Sequence, residues 1–425
     1  SRERQRPVAR TPNLQPPIPT TPRNHHNLRY YPLRMEIHGY CAPTFEPVRT
    51  AFTENFANHN EIGAAVAVTL AGETVVDLWA GHLDAANTRP WTQDTIVNVW
   101  SVGKAVTAVC LLQQVERGLV ELDAPVARYW PEFAQGGKAA ITVRTLMAHQ
   151  AGLPAVEKPL APSYNLLSWD GMCAELAAQA PFWEPGTAFG YHTNTFGFLL
   201  GEIVRRVDGR TIDRYLQDEI ARPLEASFHF GFGPALDPLV ADWVPYLRNT
   251  DEPNDRPWLE QDPANLRGIE LSRVLAYRNP PQRPDAAING RLWRSSVYPS
   301  TSGHGNARAF ARIFGALASG GALDGHHILE QRLIEEALAV HSDGEDVILG
   351  RPNRFGLGFQ LTNPGIRPLG PGPRSFGHYG NGAVLGFADP DNNIGFGYVC
   401  NRAGRSWRDP RNIALVDATY ASIGL

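Results

Sequence analysis

The chain has 425 residues, 43% of them hydrophobic, enough to bury a large core as one big domain or as a domain with a sizeable insertion. A net charge of −4 leaves no basic field to collect nucleic acid or anionic membrane, and no apolar run approaches the roughly 20 residues of a membrane span. Four cysteines (Cys41, Cys110, Cys173, Cys400) lie far apart with no CxxC spacing, which argues against zinc or a redox pair and favours reduced thiols.

Residues 1–34 are rich in Arg and Pro and lack the apolar stretch of a signal peptide. They read as a flexible arm or as non-native sequence ahead of Met35, and the protein is expected in the cytoplasm. Apolar positions Val48, Ala51, Phe52 and Phe56 predict a helix over 47–59. The runs 64–70 and 74–80, joined by Ala71-Gly72-Glu73, predict a hairpin. Residues 102–117 predict a helix that stops at Gly118. Beyond 119 helical patterns at 171–179 and 196–207 alternate with Pro-rich loops, including a long irregular segment over 249–290. A helix over 307–318, a second hairpin (383–389 and 394–400) and a helix over 410–422 close the chain. The predicted class is α+β: an antiparallel sheet flanked by helices, formed by about 35–118 and 300–425, interrupted by a mostly helical lobe over 119–299.

Ser101 and Lys104 stand three apart at the start of the helix over 102–117, one turn apart on nearly the same face. A hydroxyl is a weak nucleophile at neutral pH, and a desolvated lysine can act as its base. Only three of the 39 basic residues are lysines (Lys104, Lys138, Lys158). Arginine cannot give up its proton, so a lysine kept inside an apolar helix points to a position that needs a titratable amine. An S-x-x-K tetrapeptide alone is common by chance. Further along, Tyr191 follows a Pro-Gly turn and precedes an apolar helix, where a phenol can pass protons. His378-Tyr379-Gly380-Asn381 is expected at the start of an edge-type strand, where Gly lets backbone come close to a substrate.

Taken in order, these segments resemble the serine β-lactamase and penicillin-binding-protein superfamily, and the branch is similar to the class C-like carboxylesterases, the family VIII esterases. VNVWSVGKAVTA, GLVELDAPVARYWPEF, ITVRTLMAHQAGLP, EPGTAFGYHTN and SGHGNARAFARI carry the resemblance over about residues 40–422. It implies a β-lactamase-like fold with the site between sheet and helical lobe. Ser101 would be acylated, Lys104 and Tyr191 would share the acid–base work, and the N–H groups of Ser101 and Asn381 would form the oxyanion hole. No metal or organic cofactor is implied.

Two motifs depart from that pattern. The residue two past Tyr191 is Thr193, with Asn194 one further, where the superfamily usually has Tyr-x-Asn. His378-Tyr379-Gly380 stands in place of Lys-Thr-Gly, whose lysine attracts an anionic substrate. A largely neutral histidine weakens that attraction. The expected substrate is therefore a small ester, with a β-lactam, a D-amino-acid amide or peptide, acyl transfer to an alcohol, and a non-catalytic binding role as alternatives. A homo-oligomer is compatible with the sequence. His149 is expected to support a turn, His304 to line the cleft or pack structurally, and Trp183 to pack or wall an acyl pocket; none receives a catalytic role.

Overall fold

The computed structural model describes residues 35–425 apart from 159, 161–167, 248–251, 253, 255 and 280–284; the arm expected over 1–34 lies outside the described residues. Strand β1 (His38–Cys41) and helix α1 (Glu46–Asn58) precede the hairpin of β2 (Gly63–Leu70) and β3 (Glu73–Gly81). Ala71 and Gly72 turn that hairpin at φ +49° and +86°, the left-handed pair that matches strand twist. The short β4 (Val97–Asn98) leads into α2 (Val102–Glu116), and Gly118 follows at φ +72° as the expected helix stop.

The helical stretch contains α3 (Val143–Met147), α4 (Trp169–Ala178), α5 (Phe196–Asp208) and α6 (Ile212–Leu216). Strand β5 (Phe228–Phe230), α7 (Gly268–Arg278), α8 (Asp285–Ile288) and α9 (Arg291–Ser295) come next. Strand β6 (Gly303–Gly305) and α10 (Ala307–Ala318) are followed by the small pair β7 (Ala322–Leu323) and β8 (His326–His327), then α11 (Gln331–Leu338). The last strands are β9 (Ser342–Asp346), β10 (Arg351–Phe355), β11 (Gln360–Leu361), β12 (Phe376–Tyr379), β13 (Leu385–Asp389) and β14 (Ile394–Cys400), and α12 (Pro410–Ala421) ends the fold.

Nine strands form one antiparallel sheet in the order β1-β3-β2-β14-β13-β12-β11-β10-β9. The two predicted hairpins meet at its centre, with Leu70 opposite Ile394 and Ala64 opposite Cys400. Both central strands are buried nearly throughout, which explains their continuous apolar sequences. Helix α10 packs across β2, β13 and β14, and α1 packs on α12. Phe310 and Phe314 of α10 are buried there, each worth about 1.5–3 kcal/mol in transfer terms. A second sheet, β4-β6-β5, ties the segment before α2 to the helical part. All four cysteines are free thiols. No helix among the described residues is long and apolar enough to cross a membrane.

Two expectations need correction. The segment 249–290 is not irregular throughout: α7 places Leu271, Leu275, Ala276 and Tyr277 in an apolar cluster with Trp183 and Ile348. Its stripe is short and flanked by Pro- and Asp-rich turns, which hide the helical period. Strand β12 is also not an edge strand. It pairs with β13 along its length and with β11 at Phe376 and Gly377. The covering strands β9–β11 are short and lack apolar alternation, so nothing local announces them.

Candidate active site

Ser101 caps the start of α2 just beyond β4. Trp100 before it has φ +53°, a left-handed conformation that costs a bulky residue on the order of 1–3 kcal/mol. Its ring is held by Trp243 and Trp293, at centroid distances of 4.9 and 6.1 Å. The strained elbow turns the chain so that Ser101 and Lys104 share the buried start of the helix. At Gly103 a Cβ would lie 2.2 Å from the Pro299 carbonyl oxygen. Only glycine lets the 299–300 backbone close on α2, and that contact brings the Ser300 carbonyl to Lys104.

Lys104 is fully buried. Its Nζ lies 3.1 Å from Ser101 Oγ, donates to the Ser300 carbonyl at 3.0 Å and sits 4.7 Å from the centre of the Tyr191 ring. No ion pair with a carboxylate is formed by Lys104 among the described residues. Burial therefore disfavours the ammonium and pushes the pKa well below the usual lysine range. A neutral amine can give an N–H to Ser300 and offer its lone pair to the Ser101 proton.

Tyr191 is buried, and the Ser101 side chain interacts with its phenol. Burial moves its pKa the other way, well above the usual phenol value, so it stays a phenol. The loop is pinned from below: Asp346 Oδ1 accepts from the backbone N–H groups of Tyr191 (3.1 Å), Ile348 (3.0 Å) and Leu349 (2.9 Å). Phe355 stacks parallel to the phenol at 6.0 Å.

His378 approaches the same hydroxyl, with Nε2 3.5 Å from Tyr191 Oη. Its Nδ1–H donates to the Tyr379 carbonyl at 2.7 Å, which leaves Nε2 as an acceptor. Burial and the adjacent Lys104 pull its pKa down to about 3, so the ring is neutral. Gly380 brings this strand end against the segment before Ser101: a Cβ there would meet the Val99 carbonyl at 2.5 Å. Asn381 follows at an exposed position in the turn Asn381–Ala383.

Two predicted residues face elsewhere. Tyr379 Oη donates to the Pro368 carbonyl at 2.9 Å and lines a separate cavity of about 380 Å³ beside α12. Thr193 turns its hydroxyl back to the Tyr191 carbonyl at 3.3 Å. Asn194 donates to the Ala276 carbonyl at 3.0 Å, so it holds α7 against the Tyr191 loop.

His149 occupies the turn after α3 at φ +61°, and its Nδ1 accepts from the His192 backbone N–H at 3.2 Å. His304 is buried in β6, where Nδ1–H donates to the Ser302 carbonyl at 2.8 Å and the ring meets Phe232. Trp183 donates to the Ala188 carbonyl at 3.1 Å and packs on His192. Sequence reasoning missed Asp346, Phe355 and Trp407, whose ring meets Tyr191 at 5.6 Å. They come from segments with no apolar period or motif of their own. Among the described residues no group of three or more His, Cys, Asp or Glu side chains is placed to hold a metal ion.

Residues 48–421 match the protein-family model described as Beta-lactamase. The esterase/β-lactamase LipL of Mycobacterium tuberculosis is 34% identical over 377 residues, covering 86% of this chain and 83% of that protein. A solved family VIII carboxylesterase superposes with a TM-score of 0.83 at 36% identity, covering 91% of this chain and 100% of that one. A penicillin-binding-protein homologue from Caulobacter crescentus gives 0.81 at 37% identity with the same coverage of 91% and 100%.

Proposed function

Because the chain belongs to the β-lactamase family, we propose that it is a serine carboxylesterase that hydrolyses small esters through an acyl-Ser101 intermediate. The observation that carries this reading is Lys104, buried without a carboxylate and 3.1 Å from Ser101 Oγ. The opposite pKa directions of Lys104 and Tyr191 divide the roles. The Lys104 amine takes the Ser101 proton as Oγ attacks the ester carbonyl. The backbone N–H groups of Ser101 and Asn381 hold the oxyanion. When the tetrahedral intermediate collapses, the C–O bond to the alcohol breaks. The Tyr191 hydroxyl gives its proton to the departing oxygen and is refilled from the Lys104 ammonium. Water then attacks the acyl-enzyme, gives its proton back along the same route and releases the acid and free Ser101.

Two features favour an ester over a lactam or peptide. The neutral His378 stands where the superfamily's lysine would be, so the third motif offers no cation. An ester also has a better leaving group than an amide. The name of the family VIII carboxylesterase structure agrees with this choice, while LipL is named both esterase and β-lactamase. The penicillin-binding-protein homologue at comparable similarity keeps β-lactam or D-peptide turnover as the second reading.

Short-chain p-nitrophenyl esters test the reading on wild type and Ser101→Ala. Loss of turnover to background in the variant is expected, and equal rates would end the idea. Nitrocefin turnover as fast as ester turnover would favour the second reading. Labelling of Ser101 by a fluorophosphonate, seen by peptide mass, checks the nucleophile itself.

A further inference from the structure

Beside Tyr191 and His378 lies a group of cations that the acyl transfer does not use. Trp407, in the loop between β14 and α12, sets its ring 5.6 Å from Tyr191 and 6.4 Å from His378. Two guanidiniums stack on that one indole: Arg351 of β10 at 4.8 Å and Arg367 of the β11–β12 loop at 4.9 Å. Arg408, the next residue along, adds its charge to Arg367. All four side chains are half-buried.

Arg367 is the informative member. Its Nη1 is buried with no hydrogen-bond partner, and it forms no ion pair among the described residues. Burial and the neighbouring Arg351 bring its pKa down to about 10, the response of a cation crowded by cations. Asp346 is a carboxylate whose charge acts on Arg367, and it is already engaged. Its Oδ1 takes three backbone N–H groups and its Oδ2 accepts from Asn353 at 3.2 Å. A buried Arg367 N–H without an acceptor is unfavourable unless an anion arrives. A guanidinium held over an indole is prepared to receive a carboxylate through its N–H donors.

Position fixes which end of the substrate is read. Trp407 touches the phenol that protonates the leaving oxygen and the histidine behind it, so the cations flank the leaving-group side. We propose that Arg367, with Arg351 and Arg408 around Trp407, forms a carboxylate-binding subsite for the leaving group, so that preferred esters carry an anion on their alcohol or phenol half. The inference rests on the esterase reading. It also answers the missing lysine of the third motif: positive charge is supplied from three other segments that meet only in the fold.

The pair 4-acetoxybenzoate and its methyl ester differs by one carboxylate on the leaving group, so each protein gives an internal ratio of kcat/KM. Wild type is expected to favour the anion at least tenfold at low salt, with the preference shrinking in about 0.5 M NaCl as the charges are screened. Arg367→Gln is expected to reduce the ratio at least tenfold, with Arg367→Lys in between. A ratio that Arg367→Gln leaves unchanged, whatever its wild-type value, overturns the proposal. Binding of 4-hydroxybenzoate to Ser101→Ala protein, followed by tryptophan fluorescence, reads the subsite without turnover. Saturable binding weakened by Arg367→Gln supports it, and absent or indifferent binding rejects it. Failure of wild type to hydrolyse either ester faster than Ser101→Ala sinks the esterase reading and the subsite together. Methyl-ester turnover without anion preference sinks only the subsite.

Discussion

Two lysines are buried in this molecule, and they do opposite things. Lys138 donates to the carbonyls of Gln135 (2.7 Å), Ala177 (3.0 Å) and Gln179, the last two at the C-terminal end of α4. Three acceptors match the three donors of an ammonium, and the negative end of a helix favours the charge. Burial lowers its pKa to about 8, so it remains charged at neutral pH. Lys104 has one carbonyl, one hydroxyl and the face of a phenol ring, and its pKa falls further. Burial alone does not make a lysine a base. What separates the two is the number of carbonyls offered to the ammonium and the presence of a hydroxyl that needs a proton acceptor. The third lysine, Lys158, is exposed and pairs with Glu175 at 2.5 Å.

The sharpest way to break this contrast is to make the same substitution twice. Lys104→Met should lower kcat/KM by about 10²–10⁴ while unfolding stability in urea changes less than in the Lys138 variant, since one carbonyl rather than three loses its donor. Lys138→Met should do the reverse, keeping kcat while losing about 2–5 kcal/mol as buried carbonyls lose their donors. Comparable rate losses in both variants would remove the distinction.

A smaller effect sharpens the Lys104 side. Tyr191→Phe keeps the ring under the amine but removes the relay hydroxyl, and kcat should fall about 10²-fold, read by steady-state rates alongside an unchanged thermal midpoint. His378→Gln should cost about tenfold or less. Its pH profile is the stronger readout. Activity rises with pH as Lys104 loses its proton, and His378, with a pKa of about 3, is neutral over the assay range. The acid limb of kcat/KM should therefore keep its midpoint in the variant. A moved limb would reassign it to the histidine.

The most gradual effect belongs to Lys138. Its folded pKa of about 8 lies below the ordinary lysine value of 10.5, so the unfolded chain binds more protons between those limits. Stability should then rise with pH across that window, by no more than about 3 kcal/mol. Denaturation midpoints collected from pH 8 upward should lose this rise in Lys138→Met.

The parts that were legible in the sequence are the local ones. Ser101 and Lys104 are one helical turn apart, and a turn is a short-range fact. Both hairpins, α2 with its Gly118 stop and the closing helix α12 stand where periodicity and turn residues put them. The strand pairings β9–β11 were not visible: SDGED and RPNRF carry no apolar alternation, because the outer strands leave much of their surface to solvent. Nor does any local signal announce a left-handed Trp100, whose conformation is imposed by the rings of Trp243 and Trp293. The arginine group around Trp407 is invisible for a third reason. Its members lie on β10, the β11–β12 loop and the β14–α12 loop, and only long-range strand order brings them together.

The sheet's central seam has a consequence for synthesis. Strand β2 is made well before its partner β14 leaves the ribosome. Roughly 300 residues separate them, about 15–60 s of translation at ordinary elongation rates. During that interval β2 offers an unpaired apolar edge, and α2 has been made without the third motif that later closes over Ser101. The nascent chain thus carries the buried start of α2 long before the sheet closes beside it, and the interval is one in which a chaperone has something to hold.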